Sequence, residues 1–180
     1  MGVIFVAGVH AVGKTTACEK ASRSLKIPYY TASGLIRSEK ESAISKVGKG
    51  VADIVGNQEL LIRGVKRVFE QSKSGKIILD GHFTLLKTDG TVETIPEEVF
   101  SALELDAIVV FYDEPISIAE RLAERDSTNA DPVDIEHHQC REMDSAHSIA
   151  DKLNIPIKKL KAFDDDGFLK LIHKCITHGK

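Results

Sequence analysis

Near the start of the chain, Gly8-Val9-His10-Ala11-Val12-Gly13-Lys14-Thr15 satisfies the pattern G-x-x-x-x-G-K-[ST] at every fixed position. The pattern is a physical specification. Glycines let the backbone curl until successive N–H groups point inward at an anion, and a helix starting near Lys14 adds its positive end. Lys14 supplies a point charge for β- and γ-phosphates, the Thr15 hydroxyl is a ligand for Mg²⁺, and Val9, His10, Ala11, Val12 and Thr16 complete the cradle. A glycine-rich turn between strand and helix is the ordinary alternative. Here the pattern follows an apolar strand and precedes a helix carrying Thr16, Ala17 and Ala21, the context in which it binds the polyphosphate of a nucleotide.

Short apolar runs alternate with helical periodicities along the rest of the chain. Strands are expected at Val3 to Val9, Ile27 to Tyr30, Lys76 to Asp80, Ala107 to Tyr112 and Ile155 to Leu160. Their continuous apolar character suits a parallel sheet covered on both faces. Helices are expected over 14–25, over 57–73 from an Asn57 cap, and from Pro115, with Asp113 and Glu114 near its positive end. The 57–73 helix would bury Leu60, Leu61, Val65, Val68 and Phe69. A long helix from an Asp134 cap would carry Met143, Ala146, Ala150 and Leu153 on one face, and residues 166–176 form the last. This alternation implies an α/β fold with right-handed crossovers. Gly48, Gly50 and Gly56 predict a broken helix across 38–56. Thr88-Asp89-Gly90-Thr91 predicts a tight hairpin within 84–95, beyond the C-terminal end of the third strand, where open α/β sheets bind ligands.

Two acids leave strands at that edge. An acid that orients Mg²⁺ follows an apolar strand beside the first one. Either could orient Mg²⁺ or its waters; Asp80 is preferred because Gly81 and His82 follow it, giving close backbone approach and a polar group, whereas the ordinary reading of Asp113 is a cap for the Pro115 helix. His82 either contacts a phosphate or packs under the hairpin, and His10 either leans over the phosphates or faces solvent.

Composition removes other classes. The chain has 180 residues, 42% hydrophobic and 28% charged, which fits one soluble domain rather than a disordered or fibrous chain. A formal charge of −3 gives no general drive toward nucleic acid or acidic membranes. No apolar run approaches the ~20 residues of a membrane span. The first residues lack a basic region, so no signal peptide is expected. Three cysteines, Cys18, Cys140 and Cys175, without a CxxC pair fit reduced thiols and a cytoplasmic location. Of the seven histidines, His137, His138 and His147 share a helix with Cys140, but no two of these four stand at the i, i+4 spacing of a helical zinc motif.

On Gly8 to Thr16, Leu79-Asp80-Gly81-His82-Phe83-Thr84 with Lys87-Thr88, Arg121-Leu122 and Ile135-Glu136-His137-His138-Gln139, the chain resembles the P-loop nucleoside monophosphate kinases. It is most similar to the archaeal-type adenylate kinases, over nearly its whole length. The resemblance implies one P-loop NTPase domain over 1–180, a three-layer α/β/α sandwich whose five-stranded parallel sheet has the order 2-3-1-4-5. It also implies an acceptor-binding insertion over about 31–73 and an arginine-bearing lid over about 121–141. Thr31 to Arg37 would open the acceptor site, with Ser33, Gly34 and Arg37 near the acceptor phosphate. Phe83-Thr84 stands where bacterial-type enzymes carry Pro-Arg, and Lys87 is the implied substitute for that arginine. The implied activity is transfer of the γ-phosphoryl of Mg·ATP to a nucleoside monophosphate, AMP first among them.

Such a reaction needs positioning and charge neutralisation more than covalent help. Like charges ~4 Å apart repel by about 4 kcal/mol at an effective dielectric near 20, so cations must intervene. Lys14 and Mg²⁺, held by Thr15 and Asp80, serve the donor. Arg121, Arg125 and Arg141 are the candidates for the rest, because guanidinium matches phosphate oxygens bidentately. Their ordinary alternative is surface pairing with Glu120 and Glu124. His82 and Lys87 join the acceptor side, and Asp53, Asn57, Gln58 and Arg63 offer hydrogen bonds to its base. His138 and Gln139 either brace the lid helix or touch ligand. Two other functions stay open: phosphorylation of a small metabolite alcohol, and an ATPase switch or assembly factor with a protein partner. No aromatic-basic nucleic-acid pattern is present.

Overall fold

The computed structural model describes residues 2–47, 56–72, 75–87, 89–127 and 129–177. Asp53, Gly48, Gly50 and Thr88 lie outside them. In chain order the first elements are β1 (Gly2–Ala7), α1 (Lys14–Leu25), β2 (Tyr29–Thr31), α2 (Ala32–Val47), α3 (Asn57–Gln71) and β3 (Lys76–Asp80). The hairpin β4 (Thr84–Leu86) and β5 (Val92–Thr94) follows, then α4 (Glu97–Ala102) and β6 (Leu105–Tyr112). The chain closes through α5 (Pro115–Asp126), α6 (Pro132–Leu153), β7 (Ile157–Lys161) and α7 (Asp165–Thr177).

Five strands form one sheet in the order β2-β3-β1-β6-β7, with every pairing parallel. Counting only these five in sequence, the order is 2-3-1-4-5. Alternation along the strands divides the core in two. Val3, Phe5, Ala7, Ile77 and Leu79 face α3, α4 and α6, meeting Val65, Phe100 and Ala146. Ile4, Val6, Ile78, Val109 and Phe111 face the other side, meeting Cys18, Ile118, Phe168 and Ile172 of α1, α5 and α7. Helices on both faces explain why β1 is buried at every position. Among the described residues no helix is long and apolar enough to cross a membrane.

Several boundaries differ from the sequence expectation for local reasons. β1 ends at Ala7 rather than Val9 because Gly8, at φ +138°, turns the chain out of the sheet. β2 starts at Tyr29 and β7 at Ile157, each just after a proline that lacks a donor, although the Pro28 and Pro156 carbonyls accept from Ile78 and Ile108. α3 is capped by Gly56, leaving Asn57 as its first residue, and Phe69 is only partly buried. Asp131 rather than Asp134 caps α6, accepting from the Val133 N–H, since Pro132 is best tolerated in the first turn. α2 runs unbroken to Val47, and α3 begins after Gly56. Gly64 lets α3 press on α2: a Cβ there would stand 3.1 Å from Leu35 Cβ. The hairpin forms as expected, Leu86 opposite Val92, with Gly90 at φ +82°.

Candidate phosphate-binding site

The loop after β1 can be built only from these residue types. A Cβ on Gly8 would lie 2.6 Å from the Phe111 carbonyl oxygen of β6, and Ala11 and Gly13 both have left-handed φ angles. Lys14, the first residue of α1, is buried, and its Nζ donates to the carbonyls of Gly8 at 2.6 Å and Val9 at 3.0 Å. Burial lowers its pKa, against the opposing pull of Asp80 and Glu142.

Next to it, the Thr15 hydroxyl donates to Asp80 Oδ2 at 3.0 Å, and Tyr29 OH donates to the same oxygen at 3.3 Å. Burial raises the Asp80 pKa, and Lys14 and the two hydroxyls oppose it. A hydroxyl beside a carboxylate is a hard oxygen donor set, and it fits Mg²⁺. These groups open on a cavity of about 760 Å³ that runs from Phe163 and Arg121 across the loop to Thr31, Ala32 and Ser33. Thr31 Oγ1 caps α2 by accepting from the Gly34 N–H at 3.0 Å, so the start of that helix lies at the far end of the cavity. His82 and His10 line the wall with ring centroids 4.5 Å apart. Burial, then Lys14, holds the His82 pKa down to about 2, and the His10 pKa is lowered for the same two reasons. Both rings are therefore neutral at pH 7, and the cations of the cavity among the described residues are Lys14, Arg121 and Arg125.

Arg121 reaches the loop from α5. Its Nε donates to the Ala11 carbonyl and its Nη2 to Asp113 Oδ2, each at 2.8 Å, and the guanidinium lies 5.1 Å from the centroid of the Phe163 ring. Asp113 therefore does not cap α5. Gln139 holds its backbone from both sides, accepting from its N–H and donating to its carbonyl, both at 3.0 Å. Phe163, exposed and at φ +66°, also covers Gly13.

The structure brings together His10, Ala11, Gly13, Lys14, Thr15, Thr16, Ser33, Asp80, His82, Arg121 and Arg125 around this cavity. Other expected residues lie elsewhere. Val12 is a core residue, and Gly8 is held from behind. Arg37 is exposed on α2 and absent from the cavity lining. Lys87 pairs with Glu93 across the hairpin at 2.9 Å, because the register sets the two diagonally on one face. Arg63 is drawn to the buried Glu39, at 3.4 Å, together with Arg67 at 2.6 Å. Arg141 lines a second cavity of about 1260 Å³ between the hairpin, α5 and α6, which Val9 also lines and which, among the described residues, shares only His10 and Arg125 with the first. Arg125 makes a two-point pair with its neighbour Asp126 rather than with Glu120 or Glu124.

Sequence reasoning missed Glu142, which is fully buried on α6 and accepts from Gly8, Phe83 and Thr84. A signal existed: Ile135, His138, Glu142, Ala146 and Ile149 form one buried stripe, and an acid in such a stripe must be satisfied by donors from elsewhere. It also missed Tyr29, and Phe163, an aromatic residue just past the last strand.

The AAA domain family matches residues 7–139. An adenylate kinase from Thermococcus onnurineus (strain NA1) is 24% identical over 189 aligned residues, covering 97% of this chain and 93% of the relative. Among solved structures, a sugar kinase from a Janibacter species aligns over 99% of this chain and 96% of its own, with a TM-score of 0.58 and 12% identity. Shikimate kinase from Bacteroides thetaiotaomicron aligns over 96% of both chains, with a TM-score of 0.54 and 15% identity. These structures share the fold.

Proposed function

The chain belongs to the AAA domain family and has the fold of the P-loop kinases, and from that premise we propose that it moves the γ-phosphoryl of Mg·ATP to a nucleoside monophosphate, most readily AMP. One observation carries the reading: Lys14, the Thr15–Asp80 pair and Arg121 converge on a cavity that continues to the start of α2. Donor and acceptor would therefore meet in one enclosure, as direct transfer requires. The relation to an adenylate kinase over nearly the full chain supports a nucleotide acceptor.

Each residue then has a task. Lys14 exchanges the carbonyls of Gly8 and Val9 for phosphate oxygens. Thr15 and Asp80 would hold Mg²⁺, which when bound neutralises charge on the β- and γ-oxygens. Arg121 keeps the loop in shape through Ala11 and presents a guanidinium face, with Phe163, to the donor base. His10 and His82, both neutral, wall the cavity without adding charge.

A small metabolite alcohol is the second reading. It is favoured by the positions of Arg37 and Lys87, which leave Thr31, Ser33, His82 and Leu85 on the acceptor side without a cation of their own among the described residues. Product analysis with Mg·ATP against a panel of nucleoside monophosphates and small alcohols tests both. ADP and a nucleoside diphosphate are expected. A phosphorylated alcohol would transfer the claim to the second reading, and acceptor-independent release of phosphate would overturn both in favour of an ATPase.

A further inference from the structure

The carboxylate of Glu142 has no solvent exposure. Its Oε1 accepts from the Gly8 N–H at 3.3 Å and the Phe83 N–H at 2.9 Å, and its Oε2 from the Thr84 N–H at 2.8 Å and the Thr84 hydroxyl. With the Thr84 proton committed to Glu142, Thr84 Oγ1 accepts from His138 Nε2 at 3.1 Å, which fixes the tautomer of that ring. The His82 imidazole comes within 3.8 Å through Nδ1 but is neutral, so the groups that hold this carboxyl directly are the three backbone N–H donors and the Thr84 hydroxyl, with the buried Lys14 ammonium near enough to feel it. A buried carboxylate is costly compared with a well-packed apolar side chain, and it leaves an uncompensated charge if its donors are removed. Its geometry is what an apolar residue could not supply. One group from α6 ties the first residue of the phosphate loop to the first residues of the hairpin, 134 and 58 positions away.

Gly8 is gripped from two directions. Its N–H is held by Glu142 and its carbonyl by Lys14. When Lys14 turns to a phosphate, its bond to the carbonyl is lost, whereas the Glu142 bond to the N–H does not depend on Lys14. The hairpin meanwhile carries Leu85 into the cavity wall, next to His82 on the acceptor side.

We propose that Glu142 is a positioning residue that locks the phosphate loop to the β4–β5 hairpin, so that the donor and acceptor walls of the cavity keep one register while Lys14 moves. Its rate readout rests on the phosphotransfer reading above; its exchange readout does not.

Glu142→Gln is the test, because it keeps the volume but offers one acceptor atom where the carboxylate offers two. In either orientation at least one backbone N–H loses its partner. The measurements are amide hydrogen exchange at Gly8, Phe83 and Thr84, with and without Mg·ADP, and kcat and KM for ATP at a temperature where the variant is fully folded. The expected result is faster exchange at both the loop and the hairpin, KM within about 3-fold of the parent, and kcat lower by about 100-fold, the cost of a misplacement near 1 Å. Faster exchange at only one of the two segments, or kcat unchanged per folded molecule, overturns the proposal. Thr84→Val retains the three backbone donors and is the second variant if the first does not fold. It should loosen both segments less and lower kcat several-fold with KM unchanged, and exchange and kcat like the parent's overturn the proposal equally. If the parent itself transfers phosphoryl to no acceptor, the phosphotransfer reading falls, and the exchange data alone decide the role of Glu142.

Discussion

Arg121 Nε donates to the carbonyl oxygen of Ala11 at 2.8 Å, joining residues 110 positions apart. Ala11 is a non-glycine residue at φ +60°, a conformation that costs about 1 kcal/mol or more and persists only when its surroundings fix it. Arg121 supplies that constraint and at the same time pairs with Asp113. A lysine cannot make both contacts from one planar group. Arg121→Lys should therefore lower kcat/KM for ATP by about 100-fold or more while leaving the far-ultraviolet circular dichroism unchanged. Steady-state kinetics with ATP varied provide the check.

Lys14 is the cation closest to the loop carbonyls, and nothing else on α1 can replace its charge there. Lys14→Ala should remove transfer by about 1000-fold or more without unfolding the protein, because the core beneath the loop is built by Ile4, Val6, Cys18 and their neighbours. Rates and thermal melting measured on the same preparation would separate the two effects.

Asp80 links stability to pH with a sign that can be worked out. Its folded pKa is raised by burial, so between the unfolded value near 4 and the folded value the native state binds the proton more tightly. Its contribution is present in full at low pH and is lost as pH rises through that window. Asp80→Asn abolishes this loss. Without Mg²⁺ or nucleotide, the variant's Tm should gain on the parent's as pH rises through the window and then hold a constant lead. Its Mg²⁺-dependent activity should fall by about 100-fold. Melting curves from pH 3 to 8, paired with activity at pH 7, test both halves.

Glu39 has the opposite sign. The hydrogen bond from Arg67, with Arg63 behind it, lowers its pKa, so its contribution is present above the unfolded value near 4.3 and is lost as pH falls through the folded one. Glu39→Gln should destabilise the α2–α3 pair at pH 7 by about 1.5 kcal/mol, the low end for bonds to a charged group because both arginines stay half in water. The difference should vanish in acid. Urea unfolding at pH 7 and pH 3 reads it.

The Arg121 guanidinium lies over the Phe163 ring, and both line the cavity. Phe163→Ala should raise KM for ATP about 5- to 30-fold, the effect of losing 1–2 kcal/mol of base stacking, with kcat nearly unchanged. An equal fall in kcat at saturating ATP would mean that the ring acts on the chemistry and not on the base.

Much of the architecture was legible because it is written in local pattern. Continuous apolar runs at Lys76 to Asp80 and Ala107 to Tyr112 gave parallel strands, and Asp89-Gly90 gave the hairpin turn. Errors arose where a neighbouring residue overrode a local rule. Pro132 moved the α6 cap to Asp131, and the left-handed turn at Gly8 ended β1 two residues early. Arg37, Lys87 and Arg63 lie outside the cavity lining for a different reason. A basic side chain goes to the carboxylate or solvent that packing sets beside it, and Glu39 and Glu93 are partners that no spacing rule announces.

By itself the sequence determined the phosphate loop, because Gly8, Gly13, Lys14 and Thr15 are covalent near neighbours whose geometry follows from backbone freedom and helix initiation. Only the tertiary structure decided what surrounds that loop. Asp80 meets Thr15, Arg121 meets Ala11 and Glu142 meets Gly8 across 65, 110 and 134 positions. Those meetings depend on strand order and helix packing. Periodicity records which face of an element is buried, and not which donor waits on the other side.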